Sequence, residues 1–178
     1  MISPTKSLVE TFYTAFQKKD ADMMVSCYHE NVIFRDPAFG ELHGEEAKAM
    51  WRMLCQNATD LNIGFSDIRA SLRKGNALWE ASYTFSKTGR KVHNTVAAEF
   101  EFSDYKIIRH TDVFNLHKWA AQALGWKGRL LGGTAFFEKQ MQRQTGKMLA
   151  AYMKSEASAA NMAHPARQVP GSTNSPQV

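Results

Sequence analysis

The chain has only two cysteines, Cys27 and Cys55, far apart and in no CxxC pair. A disulfide framework is therefore excluded as the basis of the fold. No secretory n-region and h-region precede the first amphipathic stretch, so two free thiols in a reducing cytoplasm are expected. No apolar run approaches the roughly 20 residues that cross a bilayer, and a soluble protein with no membrane partner follows as the expectation. The formal net charge is +5. It arises from Lys and Arg scattered among acids, without the basic run that follows a phosphate backbone, so no nucleic acid partner is expected. No repeat recurs at a solenoid period. The histidines His29, His43, His93 and His117 show no HxxxH or HxH spacing and no cysteine pair nearby, so no metal site is expected.

What is present is an ordinary globular composition, 44% apolar and 22% charged, over 178 residues, which is enough for one well-formed core and too little for two. Leu8, Phe12, Ala15 and Phe16 recur at helical spacing, with Val9 and Tyr13 widening the stripe, and predict a helix over 5–18. A short helix restarts near Asp20 or Asp22, either of which can cap it, and a strand follows from Val32 to Arg35. After Gly44, Ala47, Met50, Trp51 and Leu54 share one face of a third helix.

The period then changes. Leu61, Ile63 and Phe65 alternate with polar residues, and Ile68, Ala70 and Leu72 continue on the opposite parity, as a bulge in a bent strand would produce. A Gly-Asn turn signal precedes the alternation Ala77, Trp79, Ala81, Tyr83 and Phe85. Turns at "TGR" and "SDYK" carry the chain into strands over 92–102 and 107–114, making an antiparallel meander. A helix over 116–124 stops at Gly125, "GWKGRLLGG" reads as a loop, and Thr134 can cap a long last helix. From residue 156 the chain is rich in Ala, Ser, Pro and Gln without periodicity, and disorder is expected. Helices first and strands later indicate α+β rather than alternating α/β.

A few polar positions stand out. Ile108, His110, Asp112 and Phe114 share a parity, placing an imidazole and a carboxylate between apolar residues on one strand face. Asp36 ends a strand just before Pro37, where a carboxylate suits either chemistry or the capture of backbone N–H groups in a turn. Asn94 is the one polar member of the row Val92, Asn94, Val96, Ala98, Phe100 and Phe102. Arg35 has the parity opposite to Phe34 and is expected to face outward. Trp51, Trp79 and Tyr83 read as core or as the wall of a ligand cavity.

The stretch "VETFYTAFQKKDADMMVSCYHENVIFRDPAFGELHGEEAKAMW", with the later "H.D.F" strand end, resembles the nuclear transport factor 2-like and ketosteroid isomerase-like superfamily, nearest to its SnoaL-like (polyketide cyclase) branch. The resemblance spans roughly residues 5–125. It implies a strongly curved antiparallel sheet wrapped around N-terminal helices to form a cone-shaped pocket. Extra C-terminal helices would lie beyond it, giving a cone domain over 1–125, a helical extension over 126–155 and a disordered tail over 156–178. It also implies a general base at Asp36, with Phe34 and Phe39 as apolar walls.

The two carbonyl-polarising donors of steroid isomerases would fall on Phe12 and Ala98, which cannot donate, and Tyr13 is turned about 100° from the first. Steroid isomerisation is therefore not expected. Cyclases and epoxide hydrolases of the superfamily use acidic residues lining the same cavity, a role for which Asp112 is the candidate. The expected function is a cofactor-independent acid-base enzyme of isomerase, cyclase or epoxide hydrolase type. Asp112, His110 and Asp36 would be catalytic, and Asn94, Trp51, Trp79, Tyr83, Phe34 and Phe114 would hold a small hydrophobic ligand. The alternative is a non-catalytic ligand-binding or dimeric assembly domain, since the superfamily often pairs through the outer face of its sheet. A homodimer is expected in either case.

Overall fold

The computed structural model describes residues 3–163. Helix α1 (Pro4–Gln17) opens on Pro4, whose missing N–H costs nothing in a first turn. Helix α2 (Ala21–Ser26) is capped by Asp20, which accepts the Met23 N–H at 3.0 Å. Strand β1 (Tyr28–Asp36) begins four residues earlier than the apolar pattern indicated, and a short strand β2 (Gly40–His43) folds back on it. Helix α3 (Glu45–Asn57) carries Trp51 and Met50 inward and two glutamates in its first turn, where the helix dipole favours them.

Strands β3 (Asn62–Ala70), β4 (Lys74–Phe85), β5 (Arg90–Ser103) and β6 (Lys106–Val113) form the antiparallel meander. The sheet order is β2-β1-β6-β5-β4-β3, with β1 and β6 parallel. The bulge expected in β3 lies between Ser66 and Arg69, where Asp67 takes a φ of +52°. The turn before β4 is Ser71–Arg73 rather than the Gly-Asn dipeptide, which pairs as strand with Ala70 and Arg69. Register shifts in β1, β3 and β6 bend the sheet so that one face closes around α1, α2 and α3.

Beyond β6, helix α4 (Leu116–Leu124) buries Trp119, Ala120 and Ala123 against Val92. β6 pairs with β5 only from Ala97 onward, leaving the earlier part of β5 with a free edge. Gln122 of α4 fills that place: its side-chain amide donates to His93 O at 3.0 Å and accepts the His93 N–H at 2.8 Å, as a neighbouring strand would.

The expected loop at "GWKGRLLGG" is largely a helix, α5 (Trp126–Leu131). Gly128 makes it possible, because a Cβ there would lie 1.9 Å from the Ala120 carbonyl oxygen. Thr134 caps α6 (Ala135–Ala163) as expected. Disorder was expected from residue 156, but α6 continues to Ala163; the rest of that stretch lies outside the described residues. α6 crosses the turn after Asp36, where Thr145 donates to Ala38 O at 2.8 Å and Gln142 to Pro37 O at 3.3 Å.

Candidate functional site

The alternation of β6 turns His110 and Asp112 inward, where they are 0% and 3% exposed. Tyr28 from β1, Trp51 from α3 and Trp79 from β4 meet them. The Tyr28 hydroxyl lies 2.7 Å from His110 Nδ1 and accepts the Trp51 indole N–H at 2.7 Å. His110 Nε2 lies 3.0 Å from Asp112 Oδ1, which also accepts the Trp79 indole N–H at 3.2 Å.

One proton arrangement satisfies every member. An indole can only donate, so Trp51 occupies a lone pair of Tyr28 and leaves the tyrosine proton for His110 Nδ1. Nδ1 is then the acceptor, Nε2 carries the imidazole proton, and that proton points at Asp112. This tautomer is assigned from the network. The chain Trp51, Tyr28, His110, Asp112 thus orients each donor toward the carboxylate, with Trp79 closing it from the other side. Both hydrogen bonds to Asp112 fall on Oδ1, leaving Oδ2 outside the network.

Aromatic rings pack the surroundings: Phe100, Phe34 and Phe12 have ring centroids 4.5, 5.2 and 5.5 Å from the imidazole. Trp51 lies nearly parallel to it, at 6.0 Å. The cone's interior around His110 is therefore packed rather than open. A cleft of about 590 Å³ lies elsewhere, among Arg69, Lys74, Glu99 and Arg109, and one of about 310 Å³ among Asp60, Tyr83, His93 and Gln122.

Tyr13 is fully buried, and its hydroxyl has no hydrogen-bond partner among the described residues. Burial, and then the charge of Asp112, push its pKa well above the usual tyrosine value. The sequence placed Tyr13 away from the site, and it also missed Tyr28. Helix α1 is embraced over a wide arc, so Phe12 and Tyr13 are both buried although about 100° apart.

Asp36 does what a strand-end aspartate does: it accepts the Phe39 N–H at 2.5 Å. It is also more than a cap. Burial first and the Asp112 charge next raise its pKa, against the bonds from Phe39 and Ala38, to about 7. Asp36 therefore feels the Asp112 charge, although no hydrogen bond joins the two carboxyl groups.

The remaining expected residues divide. Phe34, Trp51 and Trp79 belong to the interior. Arg35 is exposed, as its parity required. Asn94 is half-buried on β5 opposite Ala81 and takes no part in the network. Phe114 packs instead against the α4 cluster, and Tyr83 bridges that cluster and the main core, its hydroxyl accepting the Trp119 N–H at 2.8 Å. The sheet's length separates Tyr83 from Asp112, and Phe114 lies just past the end of β6, neither of which same-face parity alone can reveal.

Solved structures share this architecture. A LEH-like epoxide hydrolase from M. tuberculosis superposes with a TM-score of 0.57 at 18% identity, over 71% of this chain and 92% of its own. TerC, co-crystallized with polyporic acid, matches with a TM-score of 0.54 at 16% identity, over 63% and 92%. An NTF2-like protein of unknown function from Burkholderia pseudomallei K96243 gives 0.59 at 14% identity, over 68% and 98%. No curated protein matches the sequence. The SnoaL-like domain model matches residues 9–110, from the first helix to the network histidine, and the chain belongs to the SnoaL-like domain family.

Proposed function

We propose that the protein is a cofactor-independent acid-base enzyme acting on a small hydrophobic molecule, of isomerase, cyclase or epoxide hydrolase type. The observation that carries this reading is a carboxylate, Asp112, held by a directed hydrogen-bond chain, beside a second carboxyl, Asp36, that burial and the Asp112 charge raise to about 7. A carboxyl raised that far can hold and return a proton near neutral pH, beside a carboxylate held by indole and imidazole donors. In this reading Asp112 Oδ2 removes a proton or activates a water, and Asp36 returns one. His110 holds Asp112 in place, and the unpartnered Tyr13 hydroxyl meets the oxygen on which charge develops. The family membership, and the ligand in the TerC structure, support a small molecule as the partner.

The packed interior favours a second reading, a non-catalytic assembly domain that forms a homodimer. In the catalytic reading the Pro37–Phe39 turn, held by Thr145 and Gln142 of α6, moves to admit substrate. A cytoplasmic location fits either reading, with both cysteines free.

The test is a thermal-shift screen of apolar carbonyl, lactone and epoxide compounds on the wild type and on Asp112→Asn. A ligand that binds the folded state raises its melting temperature according to concentration over Kd. Hits that weaken at least tenfold in the variant support the reading. No hit in either protein, with a dimer in sedimentation, supports the assembly domain.

A further inference from the structure

Helices α5 and α6 carry a surface that the interior site does not use. Gly128 presses α5 onto α4, which leaves the opposite side of α5 outward: Trp126 and Leu130, one turn apart, are 73% and 70% exposed. Leu131 and Phe136, on either side of the Gly132–Gly133 turn, are 50% and 75% exposed. Four large apolar side chains within eleven residues of chain are a costly thing to leave in water.

The charge around them is one-sided. Residues 126–153 hold five cations, Lys127, Arg129, Lys139, Arg143 and Lys147, against a single acid, Glu138. The net charge of this segment is thus nearly all of the chain's +5. All five cations are exposed, and none forms an ion pair among the described residues. Helical spacing lines up Phe136, Lys139, Arg143 and Lys147 on one side of α6. Its other side holds Thr145, bonded to the Ala38 carbonyl, and the buried Leu149. The Lys127 ammonium lies 5.8 Å from the centre of the Trp126 ring, so the aromatic and the cation meet a partner together.

We infer that this surface docks on an anionic lipid bilayer. Trp126, Leu130 and Phe136 enter the interfacial region and Lys127, Arg129, Lys139, Arg143 and Lys147 lie over the headgroups. Exposed Trp, Leu and Phe beside unpaired Lys and Arg match both components of such an interface, the acyl boundary and the negative surface potential. A second copy of the chain is the poorer occupant, because two-fold pairing would set this unpaired positive charge against itself. The absence of a spanning helix bears only on crossing the bilayer, and no helix here is long and apolar enough to cross. The inference is independent of the chemistry proposed for the interior.

The test is co-sedimentation of the full chain with phosphatidylcholine vesicles, with and without phosphatidylserine. Binding is expected only to the anionic vesicles, with loss as salt shortens the Debye length. Lys139→Glu with Arg143→Glu and Lys147→Glu should weaken it on the order of a hundredfold, from three surface charges each contributing about fivefold. Trp126→Ser with Leu130→Ser should weaken it separately, and both variants should keep the wild-type circular dichroism because every position is exposed. Equal binding to neutral vesicles, binding unchanged in either variant, or no binding at all overturns the inference. It is also overturned by single-stranded DNA displacing the protein from vesicles, or by a wild-type dimer that the Trp126→Ser, Leu130→Ser variant converts to monomer.

Discussion

Tyr13 buries a hydroxyl that no group accepts from or donates to among the described residues. Replacing it by Phe removes an unsatisfied polar atom and should raise unfolding stability by about 1 kcal/mol, measured by urea denaturation. If the hydroxyl serves the ligand, the same variant should lose ligand affinity while gaining stability, a trade that a purely structural tyrosine would not show. Asp36 makes the opposite kind of prediction, in pH. Its folded pKa of about 7 lies above the ordinary aspartate value. Between about pH 4 and about pH 7 the folded state therefore holds a proton that the unfolded state has released, so stability falls as pH rises and levels off above about 7. Urea midpoints compared at about pH 5 and about pH 8 should show a smaller drop in Asp36→Asn than in the wild type. His110 and Asp112 were legible from alternation alone, because a strand has two faces and only one is apolar. Tyr13 was not legible: the sheet wraps far enough around α1 to bury adjacent residues, a fact absent from the helix's own periodicity.

Helix α5 shows how an element can hide. Four glycines between 125 and 133 read as punctuation, since glycine weakens a helix interior. Here one of them is the reason the helix forms where it does, because Gly128 lets its backbone approach Ala120 more closely than any side chain permits. Gly128→Ala should therefore cost about 3 kcal/mol, by overpacking, or undock α5 from α4. Thermal unfolding would give the first result, and rapid amide exchange confined to α4 and α5 the second. A wild-type melting temperature with wild-type exchange would refute the account. The short strand β2 escaped notice for a related reason: four residues with one buried leucine carry too little pattern to register. The meander strands were plain, with the β3 bulge marked by its switch of parity.

At the scale of the whole molecule, the sheet joins the two ends of its sequence order through one parallel seam. Ile33 pairs with Arg109, and Phe34 with His110, across most of the cone. The hairpins from β3 to β6 close through short turns, whereas the seam must first bring distant segments together, and loop-closure entropy makes such contacts late. Pulse-labelled exchange during refolding should protect β4 and β5 amides before those of β1; the reverse order would contradict this. Tyr28 and Trp51 reach His110 only when that seam and α3 are in place. A newly made chain stalled at the meander would already hold Asp112 opposite Ala98, yet its imidazole would have no tyrosine to fix its tautomer. The assembled network is then the final property the chain acquires, and in the catalytic reading a misfolded molecule with a correct meander stays silent.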